Sequence, residues 1–165
     1  MRYQSTDHFC GPAAVANALK SLGRNITEQQ VEAAVAKSQR KGEPKSVEGT
    51  TQGQIKRALE VLKCGYQEFS LAHTEAAWGT LRSYMMDGHP VLLCVDDNEH
   101  WVSGIGVLGP RVLVVDGTDS ELVLSYNKEE MLKRWGCPGD VVTYYGLPII
   151  SKRRSSRKPK AEIKE

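Results

Sequence analysis

The sequence has no apolar run of the length a membrane-spanning helix needs, which is about 20 residues. Its opening residues, Met1-Arg2-Tyr3-Gln4, carry no hydrophobic signal segment, so a cytoplasmic location is expected. Four cysteines are present, Cys10, Cys64, Cys94 and Cys137, and no two lie at CxxC spacing. A zinc site and a disulfide scaffold are therefore both unsupported, and neither a metal nor a cofactor is expected. No internal repeat is visible, which sets aside solenoids and propellers. The body also lacks an excess of positive charge. Seven Lys/Arg and two Glu lie beyond residue 150, leaving 15 basic and 18 acidic groups in the first 150 residues. A slightly acidic body offers no electrostatic case for a nucleic-acid groove.

What is there suffices for one folded unit. The chain has 165 residues, 40% of them hydrophobic, enough for a single domain over residues 1–150 with its own core. Residues 151–165 form a basic tail without apolar periodicity, expected to be solvated and disordered. Lys152, Arg153, Arg154, Arg157, Lys158 and Lys160 are the one place where a nucleic acid or other acidic partner would dock.

Along the chain, helical texture precedes β texture. Pro12 suits a first helical turn, Val15, Ala18, Leu19 and Leu22 recur at helical spacing, and Gly23 closes the segment. Thr27/Gln30 and Thr51/Gln54 read as capping boxes opening two more helices, separated by a polar loop over residues 39–50. A short strand is expected at Tyr66–Leu71, then a helix carrying Trp78, Leu81 and Met85. Val91–Val95 reads as a central strand, which makes Cys94 core. Trp101–Leu108 and Arg111–Val115 flank Gly109-Pro110 as a hairpin, and Glu121–Tyr126 is a further strand. Asn127 and Glu130 open a short helix. Val141–Ile150 closes the sheet, with Pro148 confining its end to an edge. Helices first and antiparallel strands second predict an α+β domain in two layers.

The stretch with chemical content is Gln4-Ser5-Thr6-Asp7-His8-Phe9-Cys10-Gly11-Pro12. It puts a thiol at a helix mouth, among unpaired N–H groups and the positive end of the dipole, which favour thiolate. The same N–H groups can hold an oxyanion forming beside the sulfur, and the Gln4 amide is a candidate second donor. A catalytic cysteine needs a base and an acceptor that orients it. His8 is too close in sequence to approach from across a cleft, and His73 and His89 sit in turn and helix-end contexts that read as surface. His100 starts a strand after the acidic turn Asp96-Asp97-Asn98-Glu99, where a base can face a helix mouth. Trp101 beside it serves either as a shield against water or as ordinary core. Asp116 ends the strand Val112–Val115 and is the preferred acceptor, with Asp119 as the alternative. A two-residue turn at Gly109-Pro110 pairs His100 with Asp119 and sets Asp116 opposite Ser103, unless a bulge at Gly104 or Gly106 shifts the register.

Gln4-x5-Cys10-Gly11-Pro12-Ala13-Ala14, then His100-Trp101-Val102, then Val114-Val115-Asp116, resembles papain-like cysteine peptidases. The closest group is the bacteriocin-leader-processing family, cysteine peptidase family thirty-nine, with its standalone relatives in bacteria and phages. The resemblance spans most of residues 4–147 and implies a papain-like fold, its N-terminal helices packed on an antiparallel sheet. It implies Cys10 as nucleophile, His100 as general base and acid, Asp116 as orienting acceptor, Gln4 as oxyanion donor, and a peptide or protein substrate. Family members often have Pro after the aspartate, where this chain has Gly117. The exporters of the family carry a transporter behind the peptidase, at the place of the basic tail here, so a freestanding member is expected. The rival expectation, from another class, is a catalytically idle module of the same architecture that docks through its tail.

Overall fold

Side-chain caps fix where most of the helices begin. The structure, a computed structural model, describes residues 9–42, 49–118, 122–139 and 141–150. Thr27 opens Glu28–Ser38 (α2), Thr51 opens Gln52–Val61 (α3) and Asn127 opens Lys128–Trp135 (α5), each through a complete capping box with the residue three places on. The first helix, Cys10–Ser21 (α1), has no side-chain cap bond at Phe9. Thr74–Met86 (α4) carries Leu81 and Met85 inward.

The strands are Gly65–Tyr66 (β1), Phe69–Leu71 (β2), Val91–Val95 (β3), His100–Leu108 (β4), Arg111–Val115 (β5), Val123–Tyr126 (β6) and Tyr144–Ile150 (β7). They form one antiparallel sheet in the order β1-β7-β3-β4-β5-β6, with β2 also paired to β7. The single strand expected at Tyr66–Leu71 is thus two short ones on the same neighbour. Pro148 does not mark an edge, because β7 runs between β1/β2 on one side and β3 on the other. The sheet accommodates the proline at the break between β1 and β2. Ile149 donates its N–H to Pro90 on the β3 side, so position 148 faces the other way. There the Pro148 carbonyl accepts from Gln67 and no ladder N–H is required of the ring.

Among the described residues, five helices cover this sheet. Alternate residues of β3 point to opposite faces: Leu92 and Cys94 join Val15, Leu19, Ile55, Leu59, Trp101 and Leu147 under α1–α3. Val91, Leu93 and Val95 join Leu81, Met85, Val112, Val114, Met131 and Trp135 under α4 and α5. All five β3 residues are buried for that reason, and Cys94 is core as expected. The buried Ser103 hydroxyl on β4 donates to the Ala14 carbonyl at 2.6 Å, fixing α1 against the strand one turn behind Cys10.

Candidate active site

Close packing seats the mouth of α1. A Cβ on Gly11 would lie 2.7 Å from the Thr50 Cβ, so only glycine lets α1 approach the segment leading into α3 this closely. Trp101 Nε1 donates to the Thr50 carbonyl at 2.8 Å and ties that segment to β4. Cys10 is 8% exposed and lines a cleft with Gly49, Thr50, Thr51, Asn98, Glu99 and Trp101. The thiol is therefore recessed but reachable.

His100 begins β4, and its Nε2 lies 2.8 Å from Asp116 Oδ1. The other ring nitrogen is left for the Cys10 sulfur, which interacts with the His100 side chain and with the N–H groups of Trp101 and Gly11. The structure thus brings Cys10, His100 and Asp116 together. A β-bulge decides it. The β4–β5 register shifts between Gly104 and Gly106, so Ser103 pairs with Val115 and Asp116 comes next, beyond the ladder, on the level of Val102. Val102 shares a face with His100, two residues away. In an unshifted ladder, with Ile105 paired, Asp116 would stand opposite Ser103, on the other face of the sheet from His100.

Asp116 is 1% exposed. Its Oδ1 also accepts from the Thr118 N–H at 3.0 Å and the Thr118 hydroxyl at 2.8 Å, while Oδ2 accepts from Arg134 Nη2 at 2.6 Å. Arg134 in turn holds Asp96, through Nε at 3.0 Å and Nη2 at 2.8 Å, and donates from Nη1 to the Tyr126 hydroxyl at 2.9 Å. Asp96, Asp97 and Asn98 have φ of 54°, 60° and 67°, three consecutive left-handed residues just before His100. Asp and Asn tolerate that region better than most residues, yet each such position costs about 1–3 kcal/mol and needs its surroundings to hold it.

The electrostatics follow from these contacts. Burial disfavours the Cys10 thiolate, but the bonds from His100, Trp101 and Gly11 outweigh it and lower the pKa. Burial likewise opposes a charged imidazole, yet Asp116 and Cys10 raise His100 to about 9. Asp116 is held below the usual carboxylate range: burial raises it, and the donors from His100, Thr118 and Arg134 more than compensate. Between the two shifted values the stable form is thiolate facing imidazolium. The other cysteines differ. Burial raises Cys64, whose sulfur accepts from Arg24, and pushes Cys94 up to about 12. Cys137 is half-buried and accepts from the Asn98 amide.

Gln4, Asp119, His8 and the basic tail lie outside the described residues. His73 is exposed, whereas His89 is half-buried beside the Tyr84 ring. Trp101 is core at 4% exposure and also lends its backbone N–H to the sulfur. Sequence reasoning missed that N–H, Thr118 and Arg134. Thr118 is two residues beyond Asp116, a spacing at which a carboxylate commonly takes a backbone N–H, and that signal was available. Arg134 lies 18 residues away on another element and gave none. No group of three or more metal-ligating side chains occurs among the described residues. Nor does any helix among them reach the length and hydropathy to cross a membrane.

The fold is the α+β fold of papain-like cysteine peptidases. Residues 1–141 match the Peptidase_C39 like family, and the chain belongs to it. Among solved structures, it is similar to the peptidase domain of Streptococcus ComA, a bi-functional ABC transporter involved in a quorum-sensing pathway. That match has 17% identity, covers 92% of this chain and 97% of the other, and has a TM-score of 0.63. It is also similar to a C39-like peptidase from Bacillus anthracis, with 14% identity, coverage of 92% and 94%, and a TM-score of 0.65. A double-glycine-motif protease from an AMS/PCAT transporter, in complex with a leader peptide, matches with 14% identity, coverage of 87% and 88%, and a TM-score of 0.60. No curated protein matches the chain.

Proposed function

We propose that this protein is a cysteine peptidase acting on a peptide or protein through Cys10, His100 and Asp116. The observation that carries this reading is the continuous contact from thiol to imidazole to buried carboxylate, with the thiol lining a cleft. The Cys10 thiolate attacks the scissile carbonyl carbon, and the oxygen takes up the negative charge. The Cys10 N–H, at the first helical position and without an intrahelical partner, donates to that oxyanion, with the Gln4 amide as second donor. As the C–N bond breaks, imidazolium gives its proton to the leaving amine and a thioester remains. Imidazole then takes a proton from water, the hydroxide displaces the thiolate, and the carboxylic product leaves. A peptide substrate accords with the leader peptide held by the related AMS/PCAT protease. Residues 1–150 are proposed to be the peptidase unit.

The test is turnover by wild type and Cys10→Ala on peptides from a host lysate, identified by mass spectrometry. Cys10→Ala is expected to abolish cleavage while keeping the wild-type circular dichroism. A thiol-directed peptidase probe is expected to label Cys10 ahead of Cys64, Cys94 and Cys137. Equal cleavage by both proteins, or no preference for Cys10, defeats the proposal and leaves the idle docking module. Cleavage in the presence of an added amine separates hydrolysis, which gives the acid, from transfer, which gives the amide.

A further inference from the structure

Three donors converge on one oxygen of Asp116, those of His100 and both groups of Thr118, while Arg134 is the single donor to Oδ2 among the described residues. The same guanidinium grips the carboxylate of Asp96, and the Asp96 N–H returns a bond to the Arg134 carbonyl at 2.9 Å. Asp96 is the first of the three left-handed residues that deliver the chain to His100. Arg134 therefore touches both the carboxylate that orients the base and the strained turn that carries it. Its placement is itself fixed, by the Tyr126 hydroxyl and by the Tyr126 ring 5.9 Å from the guanidinium carbon.

We propose that Arg134 is a positioning residue: it clamps Oδ2 of Asp116 so that Oδ1 stays on His100, and it locks the turn before His100 to the same point. This rests on the cysteine-peptidase reading of the site. Two consequences follow, one geometric and one electrostatic. A planar fork can serve two carboxylates at once, whereas an ammonium is a point donor. Arg134 also shares the charge of Asp116 with the imidazolium. The charged groups acting on His100 are Asp116 after β5 and the Cys10 sulfur on α1; Arg134 on α5 acts through its ion pair with Asp116, Asp96 and Glu99 lie in the turn before His100, and Cys94 on β3 stays neutral. Removing the guanidinium leaves His100 as the sole cation against Asp116, which binds the imidazole proton more tightly.

The experiment uses Arg134→Met, which keeps an apolar stem over Tyr126, and Arg134→Lys, which keeps the charge. The His100 ring is titrated by NMR without substrate, and kcat and KM are measured separately. In Arg134→Met the titration is expected to move up from about 9 by about one unit. Its kcat is expected to fall about tenfold with KM little changed. Arg134→Lys is expected to keep the wild-type titration and still lose kcat, because one ammonium cannot hold both carboxylates. An unchanged or lowered titration in folded Arg134→Met, or wild-type kcat in both variants, overturns the proposal. Should Arg134→Met fail to fold, Asp96→Asn cuts the same bridge at the turn, and wild-type kcat there together with wild-type kcat in Arg134→Lys overturns it. A wild-type chain that hydrolyses nothing refutes the peptidase reading, while the NMR titration still decides the role of Arg134.

Discussion

Two titrations govern what the site can do at a given pH. The proposed peptidase mechanism requires Cys10 ionised and His100 protonated, so activity is expected to rise below the ordinary thiol value, 9.0, and to fall as pH passes about 9. The limbs belong to the coupled pair rather than to either residue alone. A pH profile of kcat/KM checks this, and a profile still climbing beyond pH 10 contradicts it. Asp116→Asn keeps the shape but removes the charge that raises His100. The alkaline limb is then expected to move down and kcat/KM to fall by about 100-fold or more. This differs from the effect foreseen for Arg134→Met, whose limb moves up, so the two substitutions separate the acceptor from the group that holds it.

The elements place these residues through two devices, a bulge and a close helix approach. Deleting Ile105, the unpaired residue between Gly104 and Gly106, is expected to straighten β4 while keeping the Ser103–Val115 pairing, so Asp116 stays level with Val102 and on the face of His100. Activity is then expected to survive with an intact sheet by circular dichroism; activity lost in the folded variant would show that the bulge itself, and not the pairing beyond it, sets the acceptor. Gly11→Ala forces a Cβ against Thr50, an overpacking expected to cost about 1–3 kcal/mol and to lower the melting temperature. Much at this scale was legible in the sequence. The capping boxes at Thr27, Thr51 and Asn127 are local, since each satisfies N–H groups within one turn. Gly109, with φ of 57°, gave away the hairpin. The tolerance for Pro148 was not legible, because it depends on a break between two other strands far away in sequence.

Across the whole molecule, the site also shapes stability. Asp116 has a depressed pKa, so its contribution is present above the ordinary carboxylate value of 3.8 and is lost as pH falls below it. His100 has a raised pKa, so its contribution is full below the ordinary 6.5 and is lost as pH rises through about 9. Stability from this pair is therefore greatest between those two ordinary values and declines on either side. Urea unfolding at a series of pH values checks the window, and Asp116→Asn is expected to flatten it. A larger loss awaits Trp135→Ala. That ring is fully buried between α5 and the sheet, its Nε1 donates to the Tyr145 carbonyl, and truncation is expected to cost about 3–5 kcal/mol by chemical denaturation.

The sequence by itself determined the helix starts, the buried central strand Val91–Val95 and the thiol at a helix mouth, because each is written in contacts or periodicities spanning a few residues. It narrowed the partners of that thiol to His100 and to Asp116 or Asp119. Only the tertiary structure decided that Asp116 faces His100 and that Arg134 stands behind it. One unpaired residue in β4 lets the base and its acceptor share a face of the sheet, and a guanidinium on a later helix reaches that acceptor only once the sheet has formed.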